Sequence, residues 1–185
     1  GIELAAVGAQ VFLGHSMLKE CSKWCRMALG RVPGDGDPAF SSAVLKLLRC
    51  LAISEVHTRG NHDEVGRAID RGLEIADALG DRETQLHLLA GRNLLLARRA
   101  DFVGALDAAQ AFAALAHASQ DTRDLIAADL LVGATHNLVG QQRLALRLLE
   151  QGFARADAAG IRQVVHFEQD ARLRSMIGLT WTYWL

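Results

Sequence analysis

A repeat interval of about 40 residues between helix breaks is the feature of this 185-residue sequence that most constrains its fold. Gly60, Ala100 and Gly140 are evenly spaced, and each interrupts a stretch with helical periodicity. Asp81 and Asp121 have the same separation, and each opens a new helical stretch. A fixed period of this length indicates helical hairpins that stack on one another, because one hairpin cannot bury both of its faces alone.

Each repeat also carries a stripe of small and bulky residues. In the helix after each break, three positions at i, i+4 and i+7 share one face. Small residues on that face allow the paired helix to approach closely, while bulky ones fill the space between. The three stripes are Val65, Ile69 and Gly72, then Ala105, Ala109 and Phe112, then Ala145, Leu149 and Gly152.

The same punctuation predicts nine helices. Only two prolines occur, both in a loop over residues 33–38, where they stop the helices on either side. Gly80 and Gly160 fit helix C-terminal ends, and Asp81 and Asp121 fit N-caps. The expected helices lie near residues 2–13, 16–31, 38–58, 62–79, 81–99, 101–119, 121–139, 141–159 and 161 to the end.

Charge and cysteine content exclude several classes of protein. A net charge of −1 gives no general attraction for nucleic acid or an anionic membrane surface. No stretch reaches the roughly 18 apolar residues of a membrane span. Three cysteines are an odd number in a chain too long to be a disulfide scaffold, which favours a reducing cytoplasm. We expect a cytoplasmic protein, and because the sequence lacks an initiating Met, a piece of a longer chain with one domain over 1–185.

The sequence contains no convincing catalytic or metal-binding site. The string over residues 8–16 resembles a phosphate-binding loop superficially, but it is one residue too long and has His15 in the place of the lysine. A helix that ends at Gly14 is the better interpretation. Cys21 and Cys25 lie one helical turn apart, but a zinc site needs about four converging ligands, so core packing together with Ala28 is favoured. We expect no enzyme activity, no metal and no cofactor.

The stripes resemble a known repeat signature. The residues that follow Gly60, Ala100 and Gly140 resemble the Gly-x(4)-Ala-x(3)-bulky-x(2)-Ala pattern of tetratricopeptide (TPR) repeats. More narrowly, the chain is similar to the TPR-like C-terminal region of bacterial winged-helix regulators that also carry a signal-transduction ATPase domain. The resemblance implies an all-α, right-handed TPR-like α-solenoid of about four and a half hairpins. The stretches that carry it are 75–81, 100–106, and Phe167 with Asp170, Arg172 and Trp184.

The resemblance implies a non-catalytic interaction or ligand-sensing module of a bacterial transcriptional regulator. In TPR-like repeats the first helix of each hairpin lines a concave groove, so its polar residues would bind a peptide or partner domain. Three of the candidates are spaced by four on the expected last helix and would share one face. The alternative is that these side chains form hydrogen bonds between repeats and solvated edges. The candidates are Arg92, Asn93, Asp129, His136, Asn137, Arg162, His166 and Asp170.

The C-terminal aromatic residues favour a second function. Trp181, Tyr183, Trp184 and Leu185 would form an apolar face on the last helix. Such a face could be the contact of a homodimer, with the chain acting as a self-association scaffold. The alternative is that these aromatics cap the preceding repeat.

Overall fold

The computed structural model describes residues 1–32 and 41–184, apart from the side chains of residues 181, 182 and 184. In these ranges it contains nine α-helices and one short antiparallel β-hairpin, as two strands β1 (Val165–His166) and β2 (Gln169–Asp170). The loop predicted over 33–38 lies outside the described residues. The helices are α1 (Ile2–Gly14), α2 (Leu18–Leu29), α3 (Ser41–Thr58), α4 (Asp63–Leu79), α5 (Arg82–Arg98), α6 (Phe102–Ser119), α7 (Thr122–Leu138), α8 (Gln142–Ala158) and α9 (Ala171–Trp184).

The chain divides into two compact units, Gly1–Leu88 and Leu89–Leu185, with the boundary inside α5. In the first unit, α1 packs against α2 and α3, and α3 packs against α4. In the second unit, α7 contacts α6, α8 and α9. Most residues of α3 and α7 are buried, so these two helices form the centres of their units. The described helices include none that is long and apolar enough to cross a membrane.

The three predicted stripes are buried in the structure. Two of them contain a glycine because a leucine packs directly onto the helix backbone. A Cβ atom at Gly72 would lie 2.8 Å from Cδ1 of Leu88, and one at Gly152 would lie 2.8 Å from Cδ2 of Leu130. The stripes therefore do what the pattern predicts, since they bring paired helices into close contact.

The cysteines pack as small apolar residues, which confirms the sequence-based interpretation. Cys21, Cys25 and Cys50 are all buried free thiols. The thiol of Cys21 donates a hydrogen bond to the carbonyl oxygen of Ala9 at 3.3 Å. The side-chain contact with Cys21, followed by burial, raises the pKa of the Cys25 thiol.

Residues in the left-handed conformation recur at even intervals, and they fall at the helix breaks and ends that the sequence predicts. The φ angles are positive at Gly60, Gly80, Ala100, Gln120, Gly140 and Gly160. Glycine adopts this conformation without strain, which accounts for four of the six positions.

The predicted N-caps are also confirmed. The Asp81 carboxylate accepts from the backbone N–H of Thr84 at 3.0 Å, and that of Asp121 accepts from the N–H of Arg123 at 2.8 Å. α1 ends at Gly14, so the string that resembles a phosphate-binding loop is a helix and its C-terminal turn.

The predicted last helix is wrong over residues 161–170, because β1 and β2 form a hairpin there and α9 begins only at Ala171. The turn consists of Phe167 and Glu168, with φ angles of 52° and 55°, as in type I′ hairpin turns. Phe167 is only 1% exposed, and its ring packs on Gly91, where a Cβ atom would lie 2.5 Å from a ring carbon. The free energy gained by burying this ring offsets the backbone strain of the turn, so the hairpin forms where the sequence predicts a helix.

Candidate functional site

The second unit contains a pocket of about 540 Å³ between α5, α7 and α9, with one residue from the start of α8. We call it the α5–α7–α9 pocket. Its apolar lining residues are Leu94, Ala97, Ala134, Leu138 and Ile177. Its polar lining residues are Arg98, Asn137, Gln142 and Arg174, and the backbone of Gly178 completes it.

Arg174, on the first turn of α9, is a largely buried cation in this pocket. Its Nη2 donates a hydrogen bond to Oδ1 of Asn93 at 3.0 Å. Burial, and then the like charge of Arg98, lower the pKa of the Arg174 guanidinium. Among residues 1–32 and 41–184, no carboxylate forms an ion pair with Arg174 or Arg98. The pocket therefore presents positive charge that the described part of the chain does not neutralise.

Asn93 holds Arg174 in place. The Asn93 side chain has no exposed surface, and its Nδ2 donates to the carbonyl oxygen of Ala105 at 2.8 Å and to Oγ1 of Thr135 at 2.9 Å. Both amide hydrogens are thus used between α5, α6 and α7, which leaves Oδ1 for the guanidinium. Asn93 is a predicted groove residue. In the structure it links three helices by hydrogen bonds and orients the guanidinium of Arg174.

Two amide side chains form the α7–α8 end of the pocket. Nδ2 of Asn137 donates to the carbonyl oxygen of Gly178 at 3.0 Å, which ties α7 to α9. Nε2 of Gln142 donates to the carbonyl oxygen of Asn137 at 3.4 Å. Oε1 of Gln142 is buried and accepts no hydrogen bond from any residue that the structure describes. The pocket wall therefore contains an unused acceptor beside the two cations.

The other predicted groove residues on α5 and α7 lie outside this pocket. Arg92 is exposed and His136 is buried. Asp129 is buried against α8, where Nε of Arg155 donates to its Oδ2 at 3.1 Å and Nε2 of Gln151 donates to its Oδ1 at 3.2 Å. Burial raises the pKa of the Asp129 carboxyl, although these two partners oppose the shift. Asp129 thus forms hydrogen bonds between helices, which is the alternative that the sequence left open.

The three candidates near the end of the chain do not share a helix face, because the hairpin replaces that helix. Arg162 is exposed in the segment before β1. His166 packs edge-on against Phe112, with ring centroids 5.1 Å apart, and its Nε2 lies 3.7 Å from Oδ1 of Asp124. Asp170 accepts from the backbone N–H of Arg172 at 2.9 Å at the start of α9. The prediction that Arg162, His166 and Asp170 share one helix face is therefore wrong.

The first unit contains a polar cluster that the sequence analysis did not predict. The Glu55 side chain on α3 is almost fully buried, and Ser22 donates a hydrogen bond to its Oε1. Its Oε2 lies 2.8 Å from Nη2 of Arg26, 3.3 Å from Nη1 of Arg59 and 3.0 Å from Nε2 of His62. The signal in the sequence was the single carboxylate of the mostly buried helix α3, but its partners come from two other segments.

Glu64 extends this cluster and gives it three potential metal ligands. Arg26 makes a two-pronged contact with Glu64, with Nε to Oε1 at 2.9 Å and Nη2 to Oε2 at 2.7 Å. One ligand atom each from Glu55, His62 and Glu64 lies within 4.8 Å of the others. The arginines already neutralise both carboxylates, so the arrangement fits a structural ion-pair network better than a cation site.

Comparisons with known proteins address the fold. No family model matches the chain, and no curated protein matches it. A solved structure from Podosopora anserina, described as a kinesin light chain with nearly identical TPR-like repeats, aligns with a TM-score of 0.68. The alignment covers 97% of this chain and 84% of that one, at 14% identity. The chain has a TPR-like repeat fold. A variant of the same protein gives a TM-score of 0.69 with the same coverage and identity.

The predicted fold class, an all-α TPR-like solenoid, is therefore confirmed. The TPR-like fold explains why the stripes after Gly60, Ala100 and Gly140 are buried, since the signature positions of such repeats are the contacts between paired helices. The regulator context of the resemblance stays a prediction.

The C-terminal aromatic face of the last TPR-like hairpin is described only at Tyr183. Tyr183 is exposed, and its hydroxyl donates a hydrogen bond to Oε1 of Glu150 on α8 at 3.0 Å. This contact raises the pKa of the Tyr183 phenol. Leu185 and the side chains of Trp181 and Trp184 lie outside the described part of the chain.

Proposed function

We propose that this chain is a non-catalytic protein-interaction module that binds a peptide or a partner domain in the α5–α7–α9 pocket. TPR-like repeats generally mediate protein–protein interaction. The proposal includes a cytoplasmic location and a role in a bacterial transcriptional regulator, where the bound partner would act as the sensed ligand. The cytoplasmic location rests on the cysteine content and the regulatory role rests on the sequence resemblance, while the fold supports a protein-interaction module.

The observation that carries the proposal is an apolar pocket with exposed edges and fixed polar groups. Ile177 on α9 is 61% exposed and lines the pocket beside Leu138, which is also exposed. A volume of about 540 Å³ falls within the range of about 300–1,000 Å³ that is typical of ligand sites. Apolar edges next to a few polar side chains held by their neighbours are the usual composition of a recognition site.

A peptide selection on the immobilised chain tests this function. Random peptides are displayed on phage, selected on the wild-type chain, and then measured on two variants. Ile177→Asp places a charge in the pocket, whereas Val103→Asp places the same charge on α6 at a residue that is 70% exposed and outside the pocket. We expect the selected peptides to bind Val103→Asp normally and to lose about tenfold or more in affinity for Ile177→Asp. Equal binding to both variants, or no enrichment of any peptide, would contradict the proposal.

The regulatory part is tested in cells. A strain that lacks the gene is complemented with the full gene carrying either Ile177→Asp or Val103→Asp. If the pocket senses a partner, the transcript profile changes with Ile177→Asp and matches wild type with Val103→Asp. Identical profiles for the two variants would argue against a role in transcription.

Self-association is a second candidate, which the exposed apolar face of α9 favours. Leu173 is 64% exposed, and Met176 and Tyr183 are exposed as well. Sedimentation of the wild-type chain and of Leu173→Glu over a range of concentrations tests this function. A homodimer that dissociates in Leu173→Glu is expected if α9 is the contact. A monomer at every concentration would exclude self-association of the chain.

A further inference from the structure

The cations of the α5–α7–α9 pocket form no ion pair within the described part of the chain. Arg98 is exposed at the C-terminal end of α5, and Arg174 lies deeper in the same pocket. A guanidinium group has five N–H donors, yet Oδ1 of Asn93 is the sole acceptor that the described residues offer to Arg174. A largely buried cation with one neutral acceptor costs free energy, so its retention indicates that something else supplies the opposite charge.

The lining of the α5–α7–α9 pocket lacks the carboxylates that a cation site needs among its described residues. None of the ten described residues that line it is a carboxylate, and two of them are arginines. The like charge of Arg98 lowers the pKa of Arg174, so bringing an anion between them would relieve a repulsion as well as a desolvation cost. Charge complementarity therefore selects an anionic group as the occupant.

The side-chain oxygen of Gln142 indicates which further group the occupant should carry. Oε1 of Gln142 is a buried acceptor without a donor among the described residues, and it belongs to the same lining. An occupant with both a carboxylate and an N–H donor would use the cations and this acceptor together. A peptide backbone supplies the N–H, a Glu or Asp side chain supplies the carboxylate, and an apolar neighbour would cover Ile177.

We propose that the α5–α7–α9 pocket binds an acidic segment of a partner peptide, with a Glu or Asp carboxylate held by Arg98 and Arg174. This inference rests on the proposed function and specifies the partner's chemistry. Arg174 recognises the carboxylate through a planar fork of donors that Asn93 keeps in position, since Nδ2 of Asn93 is itself held by Ala105 and Thr135. Lysine peptides are repelled by the two cations, and neutral peptides leave them without an ion partner.

Fluorescence anisotropy with designed peptides tests the proposal. The probe is a fluorescein-labelled peptide that repeats Glu-Leu-Ala, and the matched uncharged peptide repeats Gln-Leu-Ala. We expect the Glu peptide to bind the chain about tenfold more tightly than the Gln peptide, and this preference to shrink in high salt. Arg98→Gln and Arg174→Gln should each remove most of the preference for the Glu peptide over the Gln peptide.

Arg147→Gln is the control for net charge, because Arg147 is exposed on α8 and does not line the pocket. Arg147→Gln should leave the preference for the Glu peptide unchanged. If all three Arg→Gln variants lost this preference equally, the preference would reflect non-specific attraction, and the inference would be overturned. Because Arg98 is exposed, Arg98→Gln tests the proposal even if Arg174→Gln does not fold.

The outcomes separate this inference from the function on which it rests. If both peptides bind equally and Ile177→Asp weakens both, the pocket binds peptides without reading charge, so the inference fails and the proposed function stands. If neither peptide binds, the acidic segment is excluded, and the phage selection decides the proposed function independently.

Discussion

At the scale of single residues, several helices end at a residue in the left-handed backbone conformation. Four of the six evenly spaced left-handed positions are glycines, but Ala100 and Gln120 occupy the other two with φ angles of 60° and 58°. A residue with a Cβ atom pays about 1–2 kcal/mol in this conformation. Both positions flank α6, whose stripe is buried, and this packing offsets the strain.

Ala100→Gly is therefore expected to stabilise the protein. The substitution relieves the strain but increases the entropy of the unfolded chain, so the free energy of unfolding should rise by about 0.5–1 kcal/mol. Urea unfolding followed by circular dichroism measures the change. The matched control is Ala114→Gly, at an exposed position inside α6, which should lower the free energy of unfolding by about 1 kcal/mol. A decrease with Ala100→Gly would show that φ at residue 100 is not the source of strain.

At the scale of elements, the β-hairpin before α9 packs the ring of Phe167 against α5. Phe167 occupies the space that the missing side chain of Gly91 leaves open. The same ring stands in a turn whose backbone conformation is unfavourable for phenylalanine. Packing across two elements therefore outweighs the local preference, and it determines where α9 begins.

Gly91→Ala and Phe167→Ala test this contact as a double-mutant cycle. The added methyl group at residue 91 would overlap the ring, so Gly91→Ala should lower the free energy of unfolding by about 1–2 kcal/mol despite the better helix propensity of alanine. Phe167→Ala should cost about 3–5 kcal/mol. In the double variant the two losses should not add, because the overlap disappears with the ring. Additive losses would mean that the residues do not interact.

At the scale of the whole molecule, the two units carry different electrostatics. The first unit contains ion pairs around Glu55 and Glu64, whereas the α5–α7–α9 pocket of the second unit contains positive charge without a carboxylate partner among the described residues. Breaking a buried ion pair leaves an uncompensated charge, so paired charges are part of the fold, while unpaired charges favour a partner of opposite charge. The first cluster therefore fits a structural role, while recognition by the α5–α7–α9 pocket stays a proposal.

The first cluster predicts an acid-sensitive contribution to stability. The hydrogen bonds from Arg26 lower the pKa of Glu64 below its usual value of 4.5 in the folded chain. A carboxyl with a lowered folded pKa stabilises the fold above its unfolded pKa, and this contribution is lost as the pH falls through the folded pKa. The pair is partly solvated, so the contribution is below about 1 kcal/mol.

Thermal unfolding of wild type and Glu64→Gln between neutral and acidic pH measures this contribution. Wild type should be more stable than Glu64→Gln at neutral pH, and the difference should vanish at the most acidic pH values. Glu74→Gln removes a carboxylate of α4 for which no ion pair is described, so it should show little such difference. A pH-independent gap between wild type and Glu64→Gln would contradict the assignment.

The sequence alone determined α1 to α8, their breaks and the buried stripes, because these depend on chemistry that acts within a few residues. Glycine at left-handed positions, aspartate at N-caps and side chains on one helical face need no information from distant segments. It also determined the repeated helical hairpins, since the fixed period repeats the same local solution along the chain.

The tertiary structure decided the hairpin at 165–170, the partners of Glu55 and the pocket with Arg98 and Arg174. Each depends on residues that are far apart in sequence, so no local periodicity predicts it. Phe167 needs the gap at Gly91, and Arg174 needs the acceptor of Asn93. Burial and charge pairing are set by which side chains meet in space, and that is known only once the helices have packed.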